Sequence, residues 1–389
     1  MVIEQIQEAL RRNELDGWLF FDHHRRDPFA YRVLELPAGL NPSRRWYYLI
    51  PAYGEPVKLV HQIERATLDP LPGMRDSYSS WADQHGKLRD MLSGREKIAM
   101  QYSPDCAIPY VSMVDAGTLE LIRSFGVEVV SSADLLQEFE ARWSEQQLQS
   151  HLQAGRLVDR IRREAFDLIG QRTRSGSSIS EYEVQRFILT RFAESDLGTD
   201  HGPNVSVNAN SSNPHHEPSQ SQSSSIKAGD FVLIDLWAKL KQPDAVYYDI
   251  TWTGFCGTII PSKMENVFQV VKNARKGASD FAVRHAAESK LFAGYEVDDV
   301  ARTYIQGQGF GDYFFHRTGH SIGVDVHGAG ANMDNLESHD ERHVIPRTCF
   351  SIEPGIYLPE FGIRSEVNVY IGDGFGYVTG EEQESLVRI

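Results

Sequence analysis

The chain has 389 residues and a formal net charge of −15, with 41% hydrophobic and 24% charged residues. This composition describes an ordinary globular protein, long enough for two domains or one large one. The acidic balance argues against binding to a phosphate backbone, so we expect no nucleic-acid partner. No run reaches the roughly 18 apolar residues that a transmembrane helix needs, so we expect no membrane partner.

Two local features bear on the compartment. Residues 1–10 mix apolar and charged side chains and have no apolar secretory core. The three cysteines, Cys106, Cys256 and Cys349, lie far apart and lack metal-site spacing. We therefore expect three buried free thiols in a reducing compartment, which predicts a cytoplasmic protein.

Residues 1–143 alternate between helical and strand-like patterns, which predicts a mixed α/β domain. Helical patterns mark residues 3–10, 88–92 and 119–125, and strand-like runs occupy residues 17–21, 97–100 and 127–130. Residues 45–50 and 56–60 flank a short polar turn and form a predicted hairpin. The run from His23 to Arg26 carries two histidines and two arginines, and we interpret it as a solvated loop.

A second domain is predicted over residues 144–389. Capping patterns at Ser144, Ser180 and Ser262, each with Glu or Gln three residues later, predict three helix starts. A fourth helix is predicted through residues 297–305. Because strand-like runs separate these helices, we expect a curved sheet whose outer face is covered by helices.

Four strand-like apolar runs of this domain are each interrupted by one carboxylate. The four acids are Asp235, Asp249, Glu353 and Glu366. Buried unpaired carboxylates are unfavourable, and four close together would repel one another strongly. Two divalent cations would balance their charge. The alternative is that all four acids lie on exposed strand faces.

A histidine cluster lies between the second and third acidic runs. His316, His320 and His327 are separated by four and seven positions. Gly319 and Gly323 argue against a helix, so we expect a strand or turn that projects the histidines into a cleft. On its own such a cluster is weak evidence, since grouped histidines are often satisfied surface or core residues.

Taken in order, Asp235, Asp249, His320, Glu353 and Glu366 resemble the metal-ligand set of the pita-bread metallopeptidases. That family includes methionine aminopeptidase, aminopeptidase P, prolidase and the metal-free creatinase. The resemblance covers residues 150–389 by motifs. It implies an α/β (α+β) protein with a pita-bread catalytic domain of curved antiparallel sheet and helices at 144–389. The smaller creatinase/prolidase-like domain would span 1–143, and its presence favours the proline-specific branch.

The resemblance implies a dinuclear centre. Asp235 and Glu366 would bridge two divalent cations, with Asp249 on one cation and His320 and Glu353 on the other. Carboxylate oxygens with one imidazole suit Mn²⁺, with Co²⁺ or Zn²⁺ as alternatives. A hydroxide shared by the cations would attack the carbonyl that precedes proline in a small peptide substrate. Relatives also suggest a homodimer.

The resemblance assigns further roles around the ligands. Glu353 would accept a proton, His327 would stabilise the intermediate or relay a proton, and His316 would line the proline pocket. His215, rather than the adjacent His216, would face the substrate, because residues 214–218 read Pro-His-His-Glu-Pro.

Arg364 and Tyr357 are expected to orient the ligand carboxylates, and Arg364 also to contact substrate. A salt bridge at the rim is the alternative for Arg364, and a turn aromatic is the alternative for Tyr357.

Three departures from the family pattern are visible. The segment between Asp235 and Asp249 is longer than usual, Leu236-Trp237 stands where a small residue and glycine are common, and Trp252 replaces a frequent arginine. We expect all three to lie near the substrate and to affect specificity. The ligands themselves are intact.

The resulting hypothesis is a prolidase-like dipeptidase that hydrolyses Xaa-Pro bonds. A dipeptidase needs a basic group at the proline end, and Arg342, His343 and Arg347 are candidates. The alternatives are an aminopeptidase P that acts on longer Xaa-Pro peptides, a metal-free creatinase-like C–N hydrolase, and a non-catalytic binding protein on the same fold.

Overall fold

The computed structural model describes residues 2–389, and the chain divides into two compact units, Met1–Glu140 and Ala141–Ile389. The first unit contains helices α1 (Val2–Arg12), α2 (Pro28–Val33), α3 (Trp81–Leu92), α4 (Ala116–Arg123) and α5 (Ala133–Leu136). Its strands are β1 (Gly17–Asp22), β2 (Trp46–Pro51), β3 (Val57–His61), β4 (Met74–Tyr78), β5 (Lys97–Met100) and β6 (Glu128–Ser131). The alternation predicted for this region is therefore confirmed.

The six strands of this unit form one mixed sheet in the order β4-β3-β2-β1-β5-β6. The predicted hairpin is confirmed, because β2 and β3 pair antiparallel. One hydrophobic core joins the sheet to α3 and α4 through buried residues such as Leu49, Leu88 and Ile122.

The second unit contains helices α6 (Glu145–Arg174), α7 (Glu181–Glu194), α8 (Ser262–Ala287) and α9 (Gly294–Gly307). Its longer strands are β9 (Asn204–Val207), β11 (Phe231–Leu240), β12 (Tyr248–Phe255), β14 (Thr348–Ile352), β17 (Val367–Gly372) and β18 (Phe375–Thr379). Its short strands are β7 (Ile179–Ser180), β8 (Leu197–Gly198), β10 (Ser225–Ile226), β13 (Ser321–Ile322), β15 (Gly355–Tyr357), β16 (Gly362–Arg364) and β19 (Val387–Arg388).

Two antiparallel layers carry this unit. The first runs β19-β12-β11-β8, with β9 also paired to β11, and its terminal strand β19 is the exception that pairs parallel, to β12. The second runs β13-β14-β17-β18. Helices α6 and α7 pack on the first sheet around Val158, Ile188 and Ile234. Helices α8 and α9 pack on the second around Val271 and Val369. Sheets covered by helices are what the sequence predicts here.

Two of the three predicted helix caps are confirmed. Ser144 and Ser180 each form a reciprocal capping box with the residue three positions on. The third is wrong, because α8 already begins at Ser262 and Pro261 takes the N-cap position without a side-chain hydrogen bond. A proline residue restricts φ and has no N–H, so it fits the entrance to a helix.

The cysteines and helices test two further expectations. Cys256 and Cys349 are buried free thiols, but Cys106 is exposed, so the expectation of three buried thiols is wrong there. Cys106 ends the short 3-10 turn Pro104–Cys106 with a positive φ, outside the strands and helices of the core. Within residues 2–389, no helix combines the length and apolar character needed to span a bilayer.

Candidate metal centre

Strands β11 and β12 bring two of the four acids to one face. In their antiparallel register, Asp235 lies opposite Thr251 and Asp249 lies opposite Trp237. Side chains two residues apart on a strand share a face, so Asp249 and Thr251 point the same way as Asp235. Asp235 and Asp249 are 8% and 5% exposed. Both carboxylates are therefore buried, and the alternative of exposed acids fails for them.

The other two acids come from the second sheet. Glu353 follows β14 directly, and Glu366 precedes β17 directly. The backbone N–H of Glu366 donates to the Thr251 carbonyl at 3.2 Å, which joins the two sheets at the site. The Thr251 hydroxyl oxygen lies 2.8 Å from Glu366 Oε2 and 3.1 Å from Asp235 Oδ1. Thr251 therefore links one acid of each sheet.

His320 enters the same pocket from the segment before β13. Its backbone N–H donates to Ser351 Oγ at 2.9 Å, and Ser351 N–H donates back to its carbonyl at 2.8 Å. The imidazole Nε2 lies 3.6 Å from Asp249 Oδ2 and 3.4 Å from Glu353 Oε1. The neighbouring Gly319 permits this approach, since a Cβ there would lie 1.9 Å from the Ser351 carbonyl oxygen.

The structure thus brings all five candidate ligands together. Asp249, His320 and Glu366 offer ligand atoms within 4.8 Å of one another, while Asp235 and Glu353 join them through the contacts above. Because these side chains come from both sheets and from a loop, only the folded chain creates the cluster.

The electrostatics of the cluster fit bound cations. Burial, followed by the neighbouring carboxylates, raises the pKa of Asp249 and of Glu366 well above the ordinary value. Burial also raises the pKa of Asp235 to about 7, although Arg364 opposes it. Asp249 Oδ1 and Glu366 Oε1 are buried without a hydrogen-bond donor. Two divalent cations would satisfy these oxygens and offset the repulsion, so the donor set fits the implied metals.

The histidine also suits a ligand role. Burial lowers the pKa of His320, which favours the neutral imidazole that metals bind. Its Nδ1 lies 3.1 Å from the Ser321 carbonyl oxygen, so Nδ1–H donates there and Nε2 keeps a free lone pair.

Arg364, Tyr357 and His316 form a buried chain beside the acids. The Arg364 guanidinium bonds Asp235 Oδ2, and its Nε donates to Thr251 Oγ1 at 3.0 Å. Another nitrogen donates to the Tyr357 hydroxyl at 3.1 Å, and that hydroxyl lies 2.8 Å from His316 Nε2. Both Arg364 and Tyr357 are 4% exposed. The rim salt bridge and the exposed turn aromatic are therefore not what the structure contains.

His327 and His215 lie further out. The His327 ring is exposed and meets the His320 ring edge-on, with centroids 4.4 Å apart. The neighbouring His320 is the main cause that lowers the pKa of His327 to about 3. His215 has an exposed side chain, whereas His216 Nε2 lies 3.2 Å from the buried Glu181. Asn204 connects this loop to the pocket, with Nδ2 3.4 Å from the Pro214 carbonyl and 3.5 Å from Asp235 Oδ2.

Three residues that the sequence reasoning missed hold the ligands in place. Thr251 and Ser351 contact carboxylates directly, since Ser351 Oγ donates to Glu353 Oε1 at 3.0 Å. Asn368 pairs with the backbone of Asp249, accepting from its N–H at 3.2 Å and donating to its carbonyl at 2.6 Å. The sequence contained a signal for two of them. Thr251 is two residues from Asp249 and Ser351 is two residues from Glu353, so the strand period predicts that each shares a face with its acid.

The expected position of the departures needs correction. Leu236 and Trp252 lie on the face of their strands opposite the acids. Leu236 is one residue from Asp235 and Trp252 is three residues from Asp249, and side chains an odd number of residues apart on a strand point to opposite faces. Leu236 belongs to the core beneath α6 and α7, and Trp252 packs under the Arg162 guanidinium at 3.4 Å. Trp237 alone of the substituted residues faces the site side, where its Nε1 donates to Asp200 Oδ1 at 2.8 Å.

A pocket of four carboxylates, three of them buried, and a buried imidazole, set between two helix-covered sheets, is a donor set that fits divalent metals. The chain belongs to metallopeptidase family M24, whose family model matches residues 149–373, more than half of its length.

Two curated relatives illustrate this relationship in sequence. A putative Xaa-Pro aminopeptidase of Mycoplasma pneumoniae is 33% identical over 177 residues, 44% of each chain. The Xaa-Pro dipeptidase of Lactobacillus delbrueckii subsp. lactis is 32% identical over 191 residues, 47% of this chain and 46% of the relative. The chain therefore spans about half the length of these curated relatives.

The fold extends the likeness over the whole chain. The crystal structure of dipeptidase PepE from Mycobacterium ulcerans superposes with a TM-score of 0.75 and 21% identity, covering 100% of this chain and 97% of that one. The mixed α/β, pita-bread fold predicted from the sequence is confirmed.

Proposed function

We propose that this protein is a metal-dependent peptidase that hydrolyses Xaa-Pro bonds, with dipeptides as its preferred substrates. The convergence of Asp235, Asp249, His320, Glu353 and Glu366 in one buried pocket is the observation that carries the proposal. The names of the curated relatives, Xaa-Pro dipeptidase and Xaa-Pro aminopeptidase, support the choice of substrate class.

The five side chains would hold two divalent cations, for which we propose Mn²⁺ because the donors are mostly oxygen. Thr251 orients Asp235 and Glu366 toward each other, which supports these two acids as the shared ligands. When bound, the cations would supply Lewis-acid charge and lower the pKa of water toward neutrality.

Glu353 is placed to move a proton. Its side chain is 16% exposed, against 5% for His320 and 7% for Asp249, so it is more open to substrate than these partners. Ser351 fixes one carboxylate oxygen at 3.0 Å, and the other lies 3.8 Å from Arg364 Nε. A carboxylate held at the open side of the pocket can accept a proton from water and pass it to the leaving nitrogen.

The histidines would position the peptide. His316 is fixed at both ring nitrogens, one 2.7 Å from the Arg317 carbonyl and one 2.8 Å from the Tyr357 hydroxyl. The His316 and Phe315 rings both contact the Tyr357 ring, with centroids 5.4 Å and 5.0 Å from it, and they would give a flat wall suited to a pyrrolidine. His327, exposed next to His320, can donate to the carbonyl oxygen under attack. We keep His215 as a substrate contact from the loop that Asn204 ties to the pocket.

Proline at the second position explains why such a wall is needed. An Xaa-Pro bond has no N–H, so a peptidase cannot recognise it by a backbone donor at that residue. Shape recognition of the ring takes the place of that hydrogen bond.

The preference for dipeptides requires a group that binds the terminal carboxylate. Arg342 cannot fill that role, since it is 5% exposed and its guanidinium pairs with Asp340 at 2.6 Å. Arg347 and His343 remain the candidates from the segment before β14.

Hydrolysis of Ala-Pro and of a longer Ala-Pro peptide by the Mn²⁺-loaded protein tests the proposal. We expect cleavage of both after the residue before proline and faster turnover of the dipeptide. Faster turnover of the longer peptide would make the protein an aminopeptidase P. Absence of cleavage with two bound metals would leave only the non-catalytic alternative, and cleavage after complete metal removal would favour the creatinase-like one. Sedimentation and cell fractionation test the proposed homodimer and cytoplasmic location.

A further inference from the structure

A cavity in the first unit has no part in the proposed reaction. It encloses about 840 Å³ between the sheet, α3 and α4, which is within the range of sites that hold metabolite-sized ligands. Arg26, Arg44 and Arg45 line it, together with four histidines that include His23 and His24. We call it the arginine cavity. A concentration of cationic side chains is unexpected in a chain with a net charge of −15.

None of these arginines forms a salt bridge within residues 2–389. The exposed Arg26 interacts with Asp115 through space, and the half-buried Arg45 side chain interacts with the Tyr78 hydroxyl. Arg44 bonds only the neighbouring serine, with one nitrogen 3.0 Å from Ser43 Oγ. Three arginines line the cavity with one carboxylate, Asp115, so its cationic charge exceeds what its own acid can balance.

The carboxylates around the cavity are already engaged. Asp115, which lines it, caps α4 by accepting from Thr118 N–H at 2.9 Å. Glu64, nearby, accepts from the backbone N–H of Ser43 and of Arg44, each at 3.0 Å. These hydrogen bonds hold the acids against the backbone, so Asp115 and Glu64 act on Arg26 and Arg44 through space and not through a salt bridge.

The cavity wall adds two features that point to a ligand. The amide of Gln84 is 0% exposed, lines the cavity and donates to Tyr47, while its Oε1 has no hydrogen-bond partner. Trp81 is 71% exposed at the first turn of α3 and meets the His85 ring at 5.5 Å. An exposed indole and three arginines that line the same cavity offer a flat apolar surface and an anion site.

We propose that the arginine cavity binds a nucleoside phosphate, with the phosphate on Arg26 and Arg45 and the base on Trp81. Guanidinium groups match phosphate oxygens in charge and in the geometry of paired N–H donors. Residues of the first turns of α3 and α4 also line the cavity, and the N-terminal end of a helix dipole favours a nearby anion. The residues that line this cavity include none of the proposed metal ligands, and the proposal does not rest on the proposed peptidase activity.

Calorimetric titration of the full-length, metal-loaded protein with AMP, with inorganic phosphate and with adenosine tests the proposal. We expect AMP to bind roughly tenfold or more tightly than either fragment, since only AMP supplies both contacts. Arg26→Ala should weaken AMP by roughly tenfold, and Trp81→Ala should weaken AMP but not inorganic phosphate. Both side chains are exposed, so neither variant should alter folding, which circular dichroism will check.

Two controls keep the result specific. Arg75→Ala removes an arginine of the same unit that pairs with Asp69 outside the cavity, and it should leave AMP affinity unchanged. Glu366→Gln alters the metal centre and should also leave it unchanged. The proposal is overturned if AMP binds no better than inorganic phosphate, if Arg26→Ala binds it as tightly as the parent, or if Glu366→Gln abolishes binding. It is also overturned if Arg26→Ala changes the assembly state and not AMP affinity, which would assign the cavity to a second copy of the chain.

Discussion

Replacing Thr251 by valine tests whether the hydroxyl between the two sheets organises the metal centre. The substitution keeps the shape of a side chain that is 0% exposed and removes one oxygen. That oxygen accepts from Arg364 Nε at 3.0 Å and lies within 3.1 Å of Asp235 and 2.8 Å of Glu366. Loss of a buried hydrogen-bonding group costs about 1–3 kcal/mol of stability.

The larger effect should be on metal affinity. Both acids that the hydroxyl orients are proposed ligands, and loss of such an orienting partner typically weakens a metal by about 10–100-fold. We expect Thr251→Val to show this weakening in a calorimetric Mn²⁺ titration of the metal-free protein. Ala-Pro hydrolysis should fall at limiting Mn²⁺ and recover in part when Mn²⁺ is raised.

The same strand offers a matched control. Thr253 is also 0% exposed and lies on the same face of β12, but its hydroxyl contacts Gln383 at 3.4 Å and no acid of the centre. Thr253→Val should therefore reduce stability without changing Mn²⁺ affinity. Equal Mn²⁺ affinities for the parent and Thr251→Val would refute the idea that this hydroxyl orients the ligands.

Three further predictions concern the pocket and its surroundings. Gly319→Ala should destabilise the protein by about 2–4 kcal/mol in urea unfolding. The reason is that its Cβ would lie 1.9 Å from the Ser351 carbonyl oxygen. Gly323→Ala is the control and should be nearly neutral, because the nearest atom to its Cβ would be 3.8 Å away. Tyr357→Phe should lower kcat/KM for Ala-Pro by about tenfold with metal content unchanged, since its hydroxyl fixes an imidazole and a guanidinium rather than a cation; a loss of metal would contradict this. In metal-free protein, the raised pKa of Asp235, about 7, means that the folded state holds a proton the unfolded state releases near pH 4. That contribution to stability is present below about pH 4 and is lost as the pH rises to about 7, so the parent should lose more stability than metal-free Asp235→Asn across this window.

The sequence predicted that the four acids of the cluster are special because each one breaks a local rule. A carboxylate inside a β-branched or aromatic run conflicts with the burial that its neighbours predict, and this conflict is visible without a structure. The same reasoning predicted the strands themselves, since β11, β12, β14 and β17 are the apolar runs that carry or adjoin the acids. Ser144 and Ser180 were readable as helix starts for a similar reason, because a capping box lies within four residues.

What the sequence could not supply depends on contacts between distant segments. Thr251 matters because Glu366, 115 positions away, reaches its hydroxyl, and no pattern within β12 predicts that approach. The arginine cavity is a second case, since the loop of His23 and Arg26, interpreted as solvated, meets helices that begin at Trp81 and Ala116. Trp252 is a different case. Because it is three residues from Asp249 on the same strand, the two-residue period already places it on the other face of the sheet. The expectation that it lies near the substrate was therefore an error of interpretation, since the sequence contained the information needed.

The arrangement also explains why the ligands are distributed over two sheets. A cluster of buried acids opposes folding until cations bind, so the elements that hold it must be stabilised elsewhere. Helices α6 and α7 and helices α8 and α9 each complete a separate core behind their sheet, away from the acids. Each sheet can therefore keep its own carboxylates in place, while Thr251, Asn368 and the Glu366 N–H fix one sheet against the other. Metal affinity in this protein should consequently be more sensitive to these few contacts between sheets than to substitutions within either core.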